Sequence, residues 1–211
     1  YTIESGRADY DAAHVPGAAF IDLIHALSDS AAPLPFTMPP VDRLAQALGA
    51  AGIGNGTRVV AYSTTSPMWA TRFWWMLRSS GFDNIAVLDG GFGKWTSEGR
   101  AVETISQHYQ PTDDISLTAR PGAWADKDAV LAAIDDGAVC TINALSPSVH
   151  SGEAPMSYGR KGHIKGSRNV PYAALLNADG TYRDEAKLRA LFTATGALET
   201  PRAICYCGGG I

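Results

Sequence analysis

The chain repeats itself once, and that duplication is the strongest restraint on what its 211 residues can fold into. His14-Val15-Pro16-Gly17-Ala18 is matched by His163-Ile164-Lys165-Gly166-Ser167. Arg58-Val59-Val60-Ala61-Tyr62-Ser63 is matched by Arg202-Ala203-Ile204-Cys205-Tyr206-Cys207. The offsets are similar, 149 residues from His14 to His163 and 144 from Tyr62 to Tyr206. A period this long marks a duplicated domain, because solenoid repeats run to only about 20–50 residues.

Each copy alternates helical and strand patterns. Helical spacing is expected over Val41 to Ala51, Pro67 to Ser80, Lys127 to Ile134 and Asp184 to Thr193. Short β-rich runs are expected at Thr57 to Tyr62, Ile85 to Leu88, Ala138 to Ile142 and Ala203 to Tyr206. That rhythm predicts an α/β fold of two domains, each a mainly parallel sheet flanked by helices. The first domain is expected over 1–106 and the second over 119–211, joined by a polar linker at 107–118 that contains Pro111 and has no periodicity. The first copy shows no opening strand like Ala138–Ile142. After Cys207 the second copy is shorter than the first by roughly 40 residues on its own repeat. The sequence therefore reads as clipped at both ends, with the second domain incomplete at its C-terminus.

The net charge of −4 gives no electrostatic reason to expect nucleic acid as a partner. The most apolar run, Phe73-Trp74-Trp75-Met76-Leu77, is far short of the ~20 residues a membrane span needs. Trp69, Trp74, Trp75 and Trp95 are read as core and interdomain packing, with no cofactor implied. Three cysteines, Cys140, Cys205 and Cys207, are too few to staple two domains and suit a reducing compartment. A cytoplasmic location is the default expectation. No Cys/His spacing resembles a metal site.

Cys207 differs from the other two thiols. It closes a short apolar run and is followed by Gly208-Gly209-Gly210-Ile211. Glycines let a backbone curl through positive φ and turn its N–H groups inward, and such a nest favours an anion and a thiolate. At the C-terminal edge of a parallel sheet, where α/β ligand sites gather, this pattern points to a nucleophile in an amide cradle. Cys140 and Cys205 are expected to be buried strand cysteines.

On these motifs, together with Leu88-Asp89-Gly90-Gly91-Phe92-Gly93-Lys94-Trp95, the chain resembles the tandem-domain sulfurtransferases of the rhodanese superfamily over essentially its whole length. The resemblance implies thiosulfate or 3-mercaptopyruvate sulfurtransferase chemistry. Cys207 takes a sulfane sulfur from a small anionic donor, the loop from Gly208 to Ile211 holds the persulfide, and cyanide or another thiol removes it. Preorganised N–H donors stabilise such an anion, and a covalent intermediate splits one transfer into two easier ones. Ser63 stands where the second copy has Cys207, followed by Thr64-Thr65-Ser66-Pro67, so the first domain is expected to be catalytically silent.

The loop departs from both well-known subtypes. Gly208 and Gly209 replace the basic residues of thiosulfate-type loops, and Gly209 replaces the hydroxyl residue of mercaptopyruvate-type loops, so the donor stays open. Arg160, Lys161, Lys165 and Arg168 flank His163, and His150 precedes them in the region where relatives place a substrate arginine. Arg160 suits bidentate capture of an anionic donor, and His150 is the second candidate. His14 and His163 are expected to be structural. Two rival classes remain: a Cys-x5-Arg phosphatase or arsenate reductase, whose arginine would fall two residues past Ile211, and a non-catalytic binding module.

Overall fold

The structure, a computed structural model, describes residues 5–209 and divides into two compact units, Tyr1–Pro121 and Gly122–Ile211. The first contains helices α1 (Arg7–Ala12) and α2 (Val41–Ala50), strand β1 (Val59–Ala61), helix α3 (Pro67–Ser79), strand β2 (Ile85–Val87) and helix α4 (Gly91–Ser97). Sequence sets the ends of α3. The Ser66 hydroxyl accepts from the Met68 N–H at 3.4 Å, Pro67 begins the helix, and Gly81 follows it at φ +84°. Leu44 and Leu48, one turn apart on α2, meet Met76 and Leu77 of α3 over β1, and all four are fully buried. Each such side chain contributes roughly 1.5–3 kcal/mol of burial.

The segment 107–118, expected as a linker, packs on this first unit, and the division falls at Pro121 and Gly122 instead. Thr112 N–H donates to the Gly49 carbonyl, Asn55 N–H to that of Asp114, and Thr118 N–H to that of Ser80. Ile115 and Leu117 lie against the core. Backbone satisfied by the ends of α2 and α3 needs no helical or strand period, which is why the sequence pattern there is silent.

The second unit contains α5 (Lys127–Ala133), β3 (Val139–Asn143), α6 (Pro147–Ser151), β4 (Arg168–Asn169), a 3₁₀ turn at Tyr172–Leu175, α7 (Glu185–Thr193) and β5 (Arg202–Tyr206). Asp126 and Asp184 cap α5 and α7, accepting from the Ala129 and Lys187 N–H groups at 2.8 and 2.9 Å. β3 lies between β4 and β5, with Thr141 opposite Ile204 and Asn143 opposite both Tyr206 and Asn169. All three ladders among the described residues are parallel, as the α/β expectation requires. Cys140, Ile142 and Val170 form the centre of a smaller core, backed by Leu175 and Phe192.

The sequence repeat is matched by repeated contacts. In the first unit the Val15 N–H donates to the Tyr62 hydroxyl at 3.1 Å. In the second the Ile164 N–H donates to that of Tyr206 at 3.0 Å. His14 stacks on Tyr10 with centroids 3.9 Å apart, and His163 stacks on His150 at 3.8 Å. Each Nδ1 lies 2.7 Å from the carbonyl oxygen of the residue it stacks on.

Candidate active site

The C-terminal edge of the three-stranded sheet gathers the site. β5 ends at Tyr206, so Cys207 is the first residue past the sheet, and its side chain is half-buried. The turn after β3 sits beside it, held by the Ala144 N–H donating to the Tyr206 carbonyl at 2.9 Å. The buried Asn143 accepts from the Leu145 N–H, while Asn169 donates its amide to the Asn143 and Leu145 carbonyls. These two asparagines, together with the Tyr206 hydroxyl on Ile164 N–H and Ser167, pin the loops around Cys207. Sequence reasoning did not single out the asparagines. The only signal for the tyrosine was its recurrence with Tyr62 in the two copies.

Gly208 carries a different constraint from the one expected of it. Its φ is not positive, so the backbone there does not demand glycine. What demands it is Tyr158: a Cβ on Gly208 would collide with ring carbons Cγ, Cδ2 and Cε2 of that side chain. The ring belongs to the same short loop as Arg160, which follows it by two residues and forms a bridge with it. The contact therefore lays the arginine-bearing loop against the cysteine loop. Gly209 is half-buried, and Gly210 and Ile211 lie outside the described residues.

Of the basic residues, Arg160 is exposed, with no ion-pair partner among the described residues. Lys165 is paired with Asp135 at 3.0 Å, and Lys161 and Arg168 are exposed. His150, on α6 just after β3, is half-buried beneath the His163 ring. Its buried Nε2 has no hydrogen-bond partner among the described residues. It occupies in this unit the place that Tyr10 occupies in the first.

Burial, and then the neighbouring His163, hold the His150 imidazole below its ordinary value of 6.5, with the Ser167 backbone opposing. A base depressed in the fold takes up its proton first in the unfolded chain. The stability it contributes is therefore complete above 6.5 and is lost as pH falls through and below that value. The melting temperature of the second unit is accordingly expected to drop between about pH 7.5 and about pH 5.5. His150→Phe keeps an aromatic stack and should flatten that drop; an unchanged slope would place the titration elsewhere.

The cysteines divide differently from expectation. Cys140, on the central strand, is buried and its thiol reaches toward the Thr195 carbonyl at 3.8 Å. Cys205 is exposed, not buried. It lies on β5, which has a strand neighbour on one side only among the described residues. In the first unit Ser63 lies two residues past the end of β1, and Cys207 lies one past the end of β5. The Thr65 N–H donates to the Ser63 hydroxyl at 3.3 Å, and the Thr64 hydroxyl is engaged by Asp9 at 3.1 Å.

A thiol at the C-terminal edge of a parallel α/β sheet, with glycine directly after it, stands where ligand sites of α/β units gather. A rhodanese-like domain model matches residues 5–98. The chain is 30% identical over 205 residues to 3-mercaptopyruvate sulfurtransferase of Escherichia coli strain K12, covering 96% of this chain and 72% of that one. It is also 30% identical over 210 residues to thiosulfate sulfurtransferase of Bos taurus, covering 97% and 70%. The crystal structure of the Escherichia coli 3-mercaptopyruvate sulfotransferase SseA superposes with a TM-score of 0.83 at 28% identity, over 96% of this chain and 76% of that one. The chain spans about half, 52%, of the anaerobic ergothioneine biosynthesis enzyme from Chlorobium limicola, which at 21% identity and a TM-score of 0.84 shares the fold. This chain belongs to the rhodanese-like sulfurtransferase family.

Proposed function

We propose that the chain is a tandem rhodanese-like sulfurtransferase in which the second unit carries a persulfide on Cys207 and the first is catalytically silent. The reading rests above all on the place of Cys207, one residue past β5 at the C-terminal edge of a parallel sheet, with glycine directly after it. The Cys207 thiolate attacks the sulfane sulfur of thiosulfate, releasing sulfite, or the sulfur of 3-mercaptopyruvate, releasing pyruvate. The persulfide anion is held by loop N–H groups. The Thr65 N–H aimed at the Ser63 side chain is the same relation, residue i+2 to residue i, that Gly209 would offer to Cys207. Cyanide or a thiol then takes the outer sulfur and the thiolate is restored. Ser63 has no sulfur with which to repeat this.

In this reading Arg160 receives the donor's anionic end; its support is Tyr158, bridged to Arg160 and packed at Gly208. Steady-state thiocyanate formation from each donor tests the whole reading. Arg160→Ala is expected to raise the donor KM by about tenfold to a hundredfold, the scale of a lost charge-assisted hydrogen bond. An unchanged KM would remove Arg160 from the site. No thiocyanate from either donor would remove the activity.

A further inference from the structure

The thiol of Cys205 is used by nothing described so far. It precedes Cys207 by two residues, and successive side chains on a strand alternate, so positions two apart lie on one side of the chain. Tyr206, between them, turns the other way to bond Ile164 and Ser167. We propose that Cys205 discharges the Cys207 persulfide internally, releasing its outer sulfur as hydrosulfide and leaving a Cys205–Cys207 disulfide. This inference rests on the persulfide reading of Cys207.

The step balances. The Cys205 thiolate attacks the inner sulfur, on Cys207; the Cys205–Cys207 S–S bond forms as the persulfide S–S bond breaks. The outer sulfur departs with the electron pair and a proton as HS⁻. The sulfane sulfur is reduced, and the two cysteine sulfurs are oxidised to a disulfide. A low-molecular-weight thiol or dithiol reductant would be needed to reopen the disulfide for another round.

Geometry allows this pair and excludes the other. Two residues of a fully extended strand span roughly 6.4–6.8 Å between Cα atoms, at the outer limit for a disulfide of about 6.8 Å. β5 ends at Tyr206, so the chain is released from extended geometry at the point where Cys207 must turn back. Cys140 is opposite Ala203, which makes Cys205 its diagonal neighbour. Diagonal positions on paired strands lie roughly 7–8 Å apart, beyond disulfide reach without moving the sheet. Cys140 is also engaged by Thr195. The residue as a whole is exposed, yet desolvation around its sulfur, and then Cys140, push the Cys205 thiol up. The thiol is therefore held mainly protonated near neutrality, and an abundant external acceptor outruns the internal route.

The test uses the whole chain loaded from thiosulfate or 3-mercaptopyruvate, freed of donor, and left without acceptor or reductant. Intact mass and released sulfide are followed for the wild type, Cys205→Ser and Cys140→Ser. The wild type and Cys140→Ser are expected to lose the added sulfur, release one sulfide per chain and finish two hydrogens lighter than the reduced protein. Cys205→Ser is expected to hold its sulfur at least about tenfold longer. Equal lifetimes in the wild type and Cys205→Ser, or sulfide release without the loss of two hydrogens, would overturn the role of Cys205 while leaving the persulfide intact. Failure of the wild type to take up sulfur at all would overturn both readings together.

Discussion

Cys207→Ser abolishes sulfur transfer from thiosulfate and from 3-mercaptopyruvate alike, with a fall of at least about 10³-fold, as expected when a covalent nucleophile is removed. A hydroxyl is isosteric enough to leave β5 and its loop in place, as Ser63 stands after β1. It is a far weaker nucleophile and cannot carry a sulfane sulfur. The check is a pair of measurements on one preparation, thiocyanate formation and thermal melting. Loss of activity at unchanged melting temperature assigns the chemistry to the sulfur atom. Retained transfer from either donor would sink the assignment of Cys207.

Gly208→Val is expected to have the second largest effect. A β-branched side chain there meets the Tyr158 ring at its root, so either the cysteine loop or the arginine-bearing loop must shift. Overpacking of this kind costs about 1–3 kcal/mol. A displacement on the order of 1 Å at a reacting centre costs on the order of 10²-fold in rate. Because φ at Gly208 is not positive, backbone strain adds nothing, and the effect should be relieved by making room. Tyr158→Ala combined with Gly208→Val should therefore recover much of kcat. Failure of that rescue would mean that glycine is needed at 208 for a reason other than Tyr158.

Local patterns carried the elements well. Helical spacing and the short β-rich runs predicted α2, α3, α5, α7 and the strands β1, β2, β3 and β5 to within about two residues. These features are written in neighbouring residues, so they can be read without a fold. The short helices α1 and α6 were not anticipated. Each is held by a contact distant in sequence or across a loop: α1 through His14 and the antiparallel bridge from His14 to Glu103, α6 through the His150–His163 stack. Segment 107–118 escaped for the same reason, since its order comes from the ends of α2 and α3.

For Cys207 the sequence by itself carried the expectation of a nucleophile. A thiol at the end of an apolar run, three glycines after it and a serine at the matching place in the first copy are all local facts. The burial of Cys140 was also expected from the sequence, whereas the exposure of Cys205 and the reason for glycine at 208 were decided only by the tertiary structure. The Gly208 contact depends on Tyr158, which lies 50 residues earlier in the chain and meets the glycine only once the loops around the sheet edge are in place.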